Sequence, residues 1–206
     1  MILEKLVVGP AETNCYVIGC EETKEGLVID PGAEGEKILQ TIKRKHLKVK
    51  YIINTHTHID HIGANGYLKD ALKAKICIHQ KEVKFLENPS LNLSFLMGKE
   101  QSFPYPDIIL SEGSKINIGG LEGTVIHTPG HTPGGISLVI DECVFTGDAL
   151  FSGSIGRTDL PLGNHSLLIR TIKNKILTLP EDFLVYPGHG PSSKIGIEKR
   201  ENPYLL

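Results

Sequence analysis

The stretch NTHTHIDHIGAN, Asn54 to Asn65, follows directly on the apolar run VKYII, and its reading decides the fold. It holds His56, His58, Asp60 and His61, so three histidines and an aspartate fall within six positions. An apolar run this short reads as a buried strand, which places the cluster at a strand-to-loop junction. Burying that many titratable groups without partners is costly. One cluster cannot fill the coordination spheres it implies, so further ligands must come from elsewhere in the chain.

Each candidate partner follows a predicted strand. His131 lies in HTPGHTPGG after a strand expected at Leu121–His127. Asp148 lies in VFTGDAL after Cys143–Phe145, and His189 in VYPGHGP after DFLVY. Strand ends hold ligands rigidly, and Gly130, Gly147, Gly188 and Gly190 beside them allow tight turns. Five histidines and two carboxylates so placed can fill two adjacent divalent-metal sites and leave room for solvent. Asp60 and Asp148 are then the carboxylates of the reaction centre. His46, His79, His127 and His165 read as ordinary surface or core residues.

The 206 residues are 40% hydrophobic and 22% charged, with a net charge of −2. That balance, with no basic stripe carrying interleaved aromatics, argues against a nucleic-acid binder. The four cysteines (Cys15, Cys20, Cys77, Cys143) form no C-x-x-C pair and sit in or beside strand-like runs, as free buried thiols would. MILEKLVVGP reads as a first strand and not a signal peptide. No apolar run approaches the ~20 residues of a membrane span. A cytoplasmic protein, without a membrane partner and either monomeric or a homodimer, is the expectation.

Strands are expected at Ile2–Val8, Cys15–Ile18, Gly26–Ile29, VKYII and KICIH, then at Lys115–Ile118, Leu121–His127, Ile136–Ile140, Cys143–Phe145 and DFLVY. Helices are expected over Glu34–His46, with Ile38, Leu39 and Ile42 on one face, over ANGYLKDALKA, and over Asn164–Leu177, stopped by Pro180. Residues 88–106 have little periodicity and several prolines, and a connection that long suggests a lid, a substrate wall or a dimer contact. The order of elements implies two mixed sheets packed together with helices outside.

THTHIDH, PGHT, FTGD and PGHG, in this order, resemble the metallo-β-lactamase superfamily over essentially the whole chain. The resemblance implies a single domain over 1–206, an α/β fold built as an αββα sandwich, with metals at one edge. Carried over by position, His56, His58 and His131 would hold one ion, Asp60, His61 and His189 a second, and Asp148 would bridge them. Relatives that bind redox di-iron replace the middle histidine of the first motif with an acid; His58 speaks against that branch. Zinc is the first expectation for the two divalent ions, with iron or manganese also accepted.

Within the superfamily, GDALFSGSIGRTDLP and YPGHGPSSKIGIEKRENPYL look like the glyoxalase II group, thioesterases that cleave S-acylglutathiones. Two departures are visible. The C-terminal helical domain that supplies glutathione contacts in typical members is not expected here. Arg157 matches a basic residue that touches substrate, but Asp159 stands where those members carry an aromatic, and a salt bridge between the two is the alternative reading of Arg157. Asn14 and Asp30 also match family positions and read as loop supports, with Asp30 able to orient a histidine; Tyr186, which precedes the last candidate ligand, reads as packing. The implied activity is hydrolysis of a small-molecule thioester by a hydroxide shared between the metals. The alternatives are a mononuclear Fe(II) persulfide dioxygenase using His56, His131 and Asp148, and a hydrolase of another ester, lactone or amide.

Overall fold

In the strand Thr13–Gly19 every residue is buried, which a sheet with one solvated face would not show. Cys15 and Val17 face one apolar cluster, whereas Tyr16 and Ile18 face another. A strand apolar on both sides belongs to an inner layer. The computed structural model, which describes residues 1–97 and 103–206, contains two such layers.

The first sheet runs in the order β1 (Ile2–Val8), β2 (Thr13–Gly19), β3 (Glu25–Ile29), β4 (Lys48–Ile53), β5 (Lys75–His79) and β6 (Ile108–Leu110). Its first three strands form an antiparallel meander, and β3 to β6 are parallel. The second sheet contains β7 (Lys115–Ile118), β8 (Leu121–His127), β9 (Ile136–Ile140) and β10 (Cys143–Gly147). After a small hairpin, β11 (Leu150–Phe151) and β12 (Ser154–Ile155), it is completed by β13 (Leu184–Pro187) and β14 (Ser193–Lys194). The spatial order is β14-β13-β10-β9-β8-β7, with β10 and β13 parallel.

Helices cover the outer faces. Ile38 and Ile42 of α1 (Gly35–Arg44), Ile62 of α2 (Ile59–Ile62) and Leu68 of α3 (Asn65–Leu72) pack on the first sheet. Leu168 of α4 (His165–Thr171), Ile172 and Ile176 of the wider turn that continues it, and Ile195 of α5 (Ile195–Glu201) pack on the second. The expected αββα sandwich is therefore present. All four cysteines are buried and free. Among the described residues no helix is long and apolar enough to cross a membrane.

Local departures have local causes. The helix expected over Glu34–His46 is shortened to α1, because Glu34 and His46 both take left-handed backbone angles, φ 52° and 56°. Asn164 does open the helix expected there, accepting a hydrogen bond from the Leu167 N–H at 2.9 Å, but the α-helical turn ends at Thr171. The short elements β6, β11, β12, β14 and α5 were not anticipated; the strands among them span only two or three residues, too few to display a period. Of the expected 88–106 connection, residues 98–102 lie outside the described residues.

Between the sheets, Tyr16, Phe145 and Tyr186 form an aromatic triangle with ring centroids 5.1, 5.6 and 5.2 Å apart. The Tyr16 hydroxyl donates to the Pro187 carbonyl at 2.7 Å, tying the first sheet to the end of β13. Phe145 is completely buried there. Phe145→Ala should cost about 3–5 kcal/mol of stability, read from urea unfolding; a loss under about 1 kcal/mol would show that the sheets do not depend on this contact.

Candidate metal centre

The seven candidate side chains meet at one edge of the sandwich. His56 and His58 lie in the loop after β4, and Asp60 and His61 in the single turn of α2. His131 follows β8, Asp148 follows β10 directly, and His189 follows β13. Two glycines make this approach possible. A Cβ at Gly188 would sit 2.1 Å from Asp148 Oδ1, and one at Gly147, where φ is +50°, would sit 2.3 Å from Thr55 Oγ1.

The ligand atoms fall into three overlapping groups, each within 4.8 Å: His56, His58 and His131; His56, His61 and Asp148; and Asp60, His61 and His189. Asp148 lies among them all, with Oδ1 3.4 Å from His61 Nε2, and Oδ2 3.6 Å from His189 Nε2 and 3.7 Å from His131 Nε2. Asp60 Oδ2 lies 3.2 Å from His189 Nε2 and accepts from the Thr13 hydroxyl at 3.1 Å.

Hydrogen bonds on the far side of three rings determine which nitrogen faces inward. His131 Nδ1 donates to the Arg157 carbonyl at 2.7 Å, His189 Nδ1 to the Ala11 carbonyl at 3.0 Å, and His61 Nδ1 to Asp30 Oδ2 at 3.0 Å. A carbonyl can only accept, so Nδ1 of His131 and of His189 carries the proton and Nε2 presents a lone pair. His131 Nε2 faces His56 Nε2 at 3.3 Å and His58 Nδ1 at 3.0 Å. Three nitrogens crowded together in this way suit a cation between them. His58 Nε2, His61 Nε2 and Asp148 Oδ1 are buried with no hydrogen-bond partner among the described residues, a state that buried polar atoms rarely keep. The donor set of imidazoles and carboxylates fits divalent metal ions.

The electrostatics divide the cluster. Burial and the neighbouring histidines hold His56 well below its ordinary pKa and lower His58 to about 3, so both are neutral and ready to coordinate. Burial also opposes charge on His61, but Asp60, Asp148 and Asp30 outweigh it and raise its pKa to about 10. His189 moves up for the same reason, chiefly through Asp60. Burial works against an ionised Asp60, yet His61, His189 and Thr13 hold it well below the usual carboxylate range. At pH 7 the metal-free protein therefore keeps a second proton on His61, which binding must displace. Metal uptake should release protons at pH 7, and affinity should fall as pH falls; calorimetry in buffers of different ionisation enthalpy checks this, and no buffer dependence would show the His61 ring already neutral.

Several supporting residues lie outside the seven. Asp30 accepts from the Thr55 N–H at 2.7 Å and hydroxyl at 2.6 Å while it orients His61. Asn14 donates to the Pro187 and Gly190 carbonyls, each at 2.9 Å, bracing the His189 loop. Arg157 is held by Asp159 through two bonds of 3.0 and 2.8 Å. Sequence reasoning missed Glu82, in the helical turn after β5. It is fully buried, and burial raises its pKa. Its carboxylate accepts from the Thr57 N–H at 2.9 Å and hydroxyl at 2.8 Å, and from the Gly134 N–H at 2.9 Å. Thr57 separates His56 from His58, and Gly134 follows His131, so one carboxylate clamps both loops of the first histidine group. Only the spacing of Glu82 just beyond a strand end could have hinted at this. Glu82→Gln should cost about 1–3 kcal/mol of stability and weaken metal binding roughly 10- to 100-fold; unchanged metal affinity in a competition titration would reduce Glu82 to a packing role.

Residues 8–189 match the model of the metallo-β-lactamase superfamily, and the chain belongs to that superfamily. It is similar to hydroxyacylglutathione hydrolase GloC of Haemophilus influenzae, 37% identical, covering 100% of this chain and 98% of that protein. It is similar also to the probable metallo-hydrolase YqgX of Bacillus subtilis, 40% identical, covering 98% and 96%. Among solved structures it resembles the BLEG-1 B3 metallo-β-lactamase, with a TM-score of 0.94, 40% identity and full coverage of both chains. ETHE1 from Myxococcus xanthus gives a TM-score of 0.83 at 33% identity over 98% of this chain and 84% of that one. TTHA1623 in a di-iron-bound form gives 0.83 at 35% identity over 98% and 100%.

Proposed function

We propose that the protein is a glyoxalase II-like thioesterase that hydrolyses an S-acyl thiol at a two-metal centre. The observation that carries this is the convergence of all seven side chains, including the complete second group of Asp60, His61 and His189. The likeness to a hydroxyacylglutathione hydrolase and to a di-iron-bound structure supports the reading.

His56, His58 and His131 would hold one ion, Asp60, His61 and His189 the other, with Asp148 between them. Zinc is the first expectation, and iron or manganese suit the same donors. Such an ion pair supplies Lewis-acid polarisation of a carbonyl and lowers the pKa of water from 15.7 to about 7. The residues of the chain supply orientation. Asp30 holds the His61 ring, the Arg157 carbonyl holds His131, and the Ala11 carbonyl holds His189, so inward-facing atoms are set before substrate arrives. A thiolate leaving group, with a thiol pKa near ~8.5, needs no general acid. Both carboxylates of the centre are thereby free to act as ligands.

Purified without added metal, the protein should carry two ions per chain and cleave S-D-lactoylglutathione. His56→Ala and Asp148→Ala should each lose metal and cut kcat/KM by about a thousandfold or more, the equivalent of roughly 4 kcal/mol. Full turnover in either variant would sink the proposal.

The likeness to ETHE1 favours a second reading, persulfide oxygenation by one iron held by His56, His131 and Asp148. One iron per chain, with persulfide-dependent oxygen uptake and no thioester cleavage, would select it.

A further inference from the structure

A cleft of about 460 Å³ opens beside the second ligand group. It is lined by Val8 at the end of β1, by Gly9, Pro10 and Ala11 of the turn that follows, by Ala33 and Ile59, and by Leu93 and Leu96. Asp60 lines it too, so the cleft and the metal centre share a wall. A second link is Ala11, whose carbonyl holds His189. The Leu93–Leu96 side is anchored to the ligand turn itself, because the Ile59 N–H donates to the Asn92 carbonyl at 2.8 Å. Asn92 is buried and donates in turn to the Phe85 carbonyl at 2.7 Å.

The chemistry of this lining is one-sided. Apart from Asp60, every side chain named is apolar, and no lysine or arginine lines the cleft among the described residues. Nearby cations are engaged elsewhere: Lys37 donates to the Val7 carbonyl and to Glu34, and Lys5 to the Gly190 carbonyl. A polar 2-hydroxyacyl group would find few partners here, and a charged peptide arm fewer still. An alkyl chain would exchange water for aliphatic contacts.

Resting on the thioesterase reading, we infer that this cleft is the acyl-binding site and that it selects thioesters of apolar, alkyl-chain acids. A carbonyl at the ligand cluster has two substituents, and the cleft is the apolar route outward past Asp60. Leu96, 68% exposed, stands at its rim, with a surface that a bound chain would cover.

The test is a series of S-acylglutathiones, acetyl to octanoyl, with S-D-lactoylglutathione alongside, so that only the acyl group changes. Each added methylene should raise kcat/KM roughly two- to fourfold until the cleft is full. Ala33→Phe, which adds a ring to the lining, should collapse the octanoyl-to-acetyl ratio. Leu96→Asp, at a surface position that does not put folding at risk, should lower the same ratio. A flat series, or a preference for the lactoyl thioester over butyryl, would overturn the assignment. A readout independent of turnover is NMR titration of the metal-loaded protein with acetate and octanoate. If no thioester is cleaved but octanoate binds tighter than acetate, and Ala33→Phe removes the difference, the cleft stands and the thioesterase reading falls. Equal binding of the two acids would overturn the cleft whatever the reaction.

Discussion

Mutual satisfaction of buried ligand atoms at the sandwich edge is the constraint on which the rest of the structure depends. His61 Nε2 and Asp148 Oδ1 have no hydrogen-bond partner among the described residues, and inward-facing nitrogens lie as close as 3.0 Å. Such a group is stable only if its members are held rigidly and its charges are compensated. Both sheets meet that demand by offering strand ends, where the backbone direction is set by a ladder and the next residue is free to turn inward. Gly147 and Gly188 then let the loops of the two halves approach without collision.

Rigidity comes from layers outside the cluster. The aromatic triangle of Tyr16, Phe145 and Tyr186 lies between the sheets, and the Tyr16 hydroxyl reaches the loop of His189. Asp30, at the end of β3, and Glu82, beyond β5, are both buried carboxylates that act on loops rather than on ions. Each accepts hydrogen bonds from a ligand-bearing segment, so displacing a loop would leave a buried charge unpaired. That coupling explains how a set of loops can present its atoms as precisely as regular elements do.

A shared ligand set does not settle which molecule is turned over, because the superfamily's chemistry is written in the walls around the centre. In this chain Arg157 pairs with Asp159 on the His131 side, while the Asp60 side opens into an aliphatic cleft. The two flanks therefore differ in polarity.

How much was legible in the sequence follows from the range of each interaction. The αββα layering and the convergence of the seven candidate side chains could be read, because they rest on short apolar runs followed directly by histidine, aspartate and glycine. Those signals are local. Glu82 was invisible, because nothing near it in sequence says that its carboxylate meets Thr57 and Gly134, 25 and 52 residues away. The ends of α1 depended on left-handed turns at Glu34 and His46, which neither residue type announces. The cleft was equally hidden: Val8, Ala33, Ile59 and Leu96 come from four separate segments, and only packing brings them to one side of Asp60. The sequence by itself determined which side chains could carry the chemistry, since that is a matter of residue type and strand-end position. Tertiary structure alone decided which ring nitrogens face inward, which histidines the carboxylates shift upward and what shape adjoins them, because those depend on distances between residues far apart in the chain.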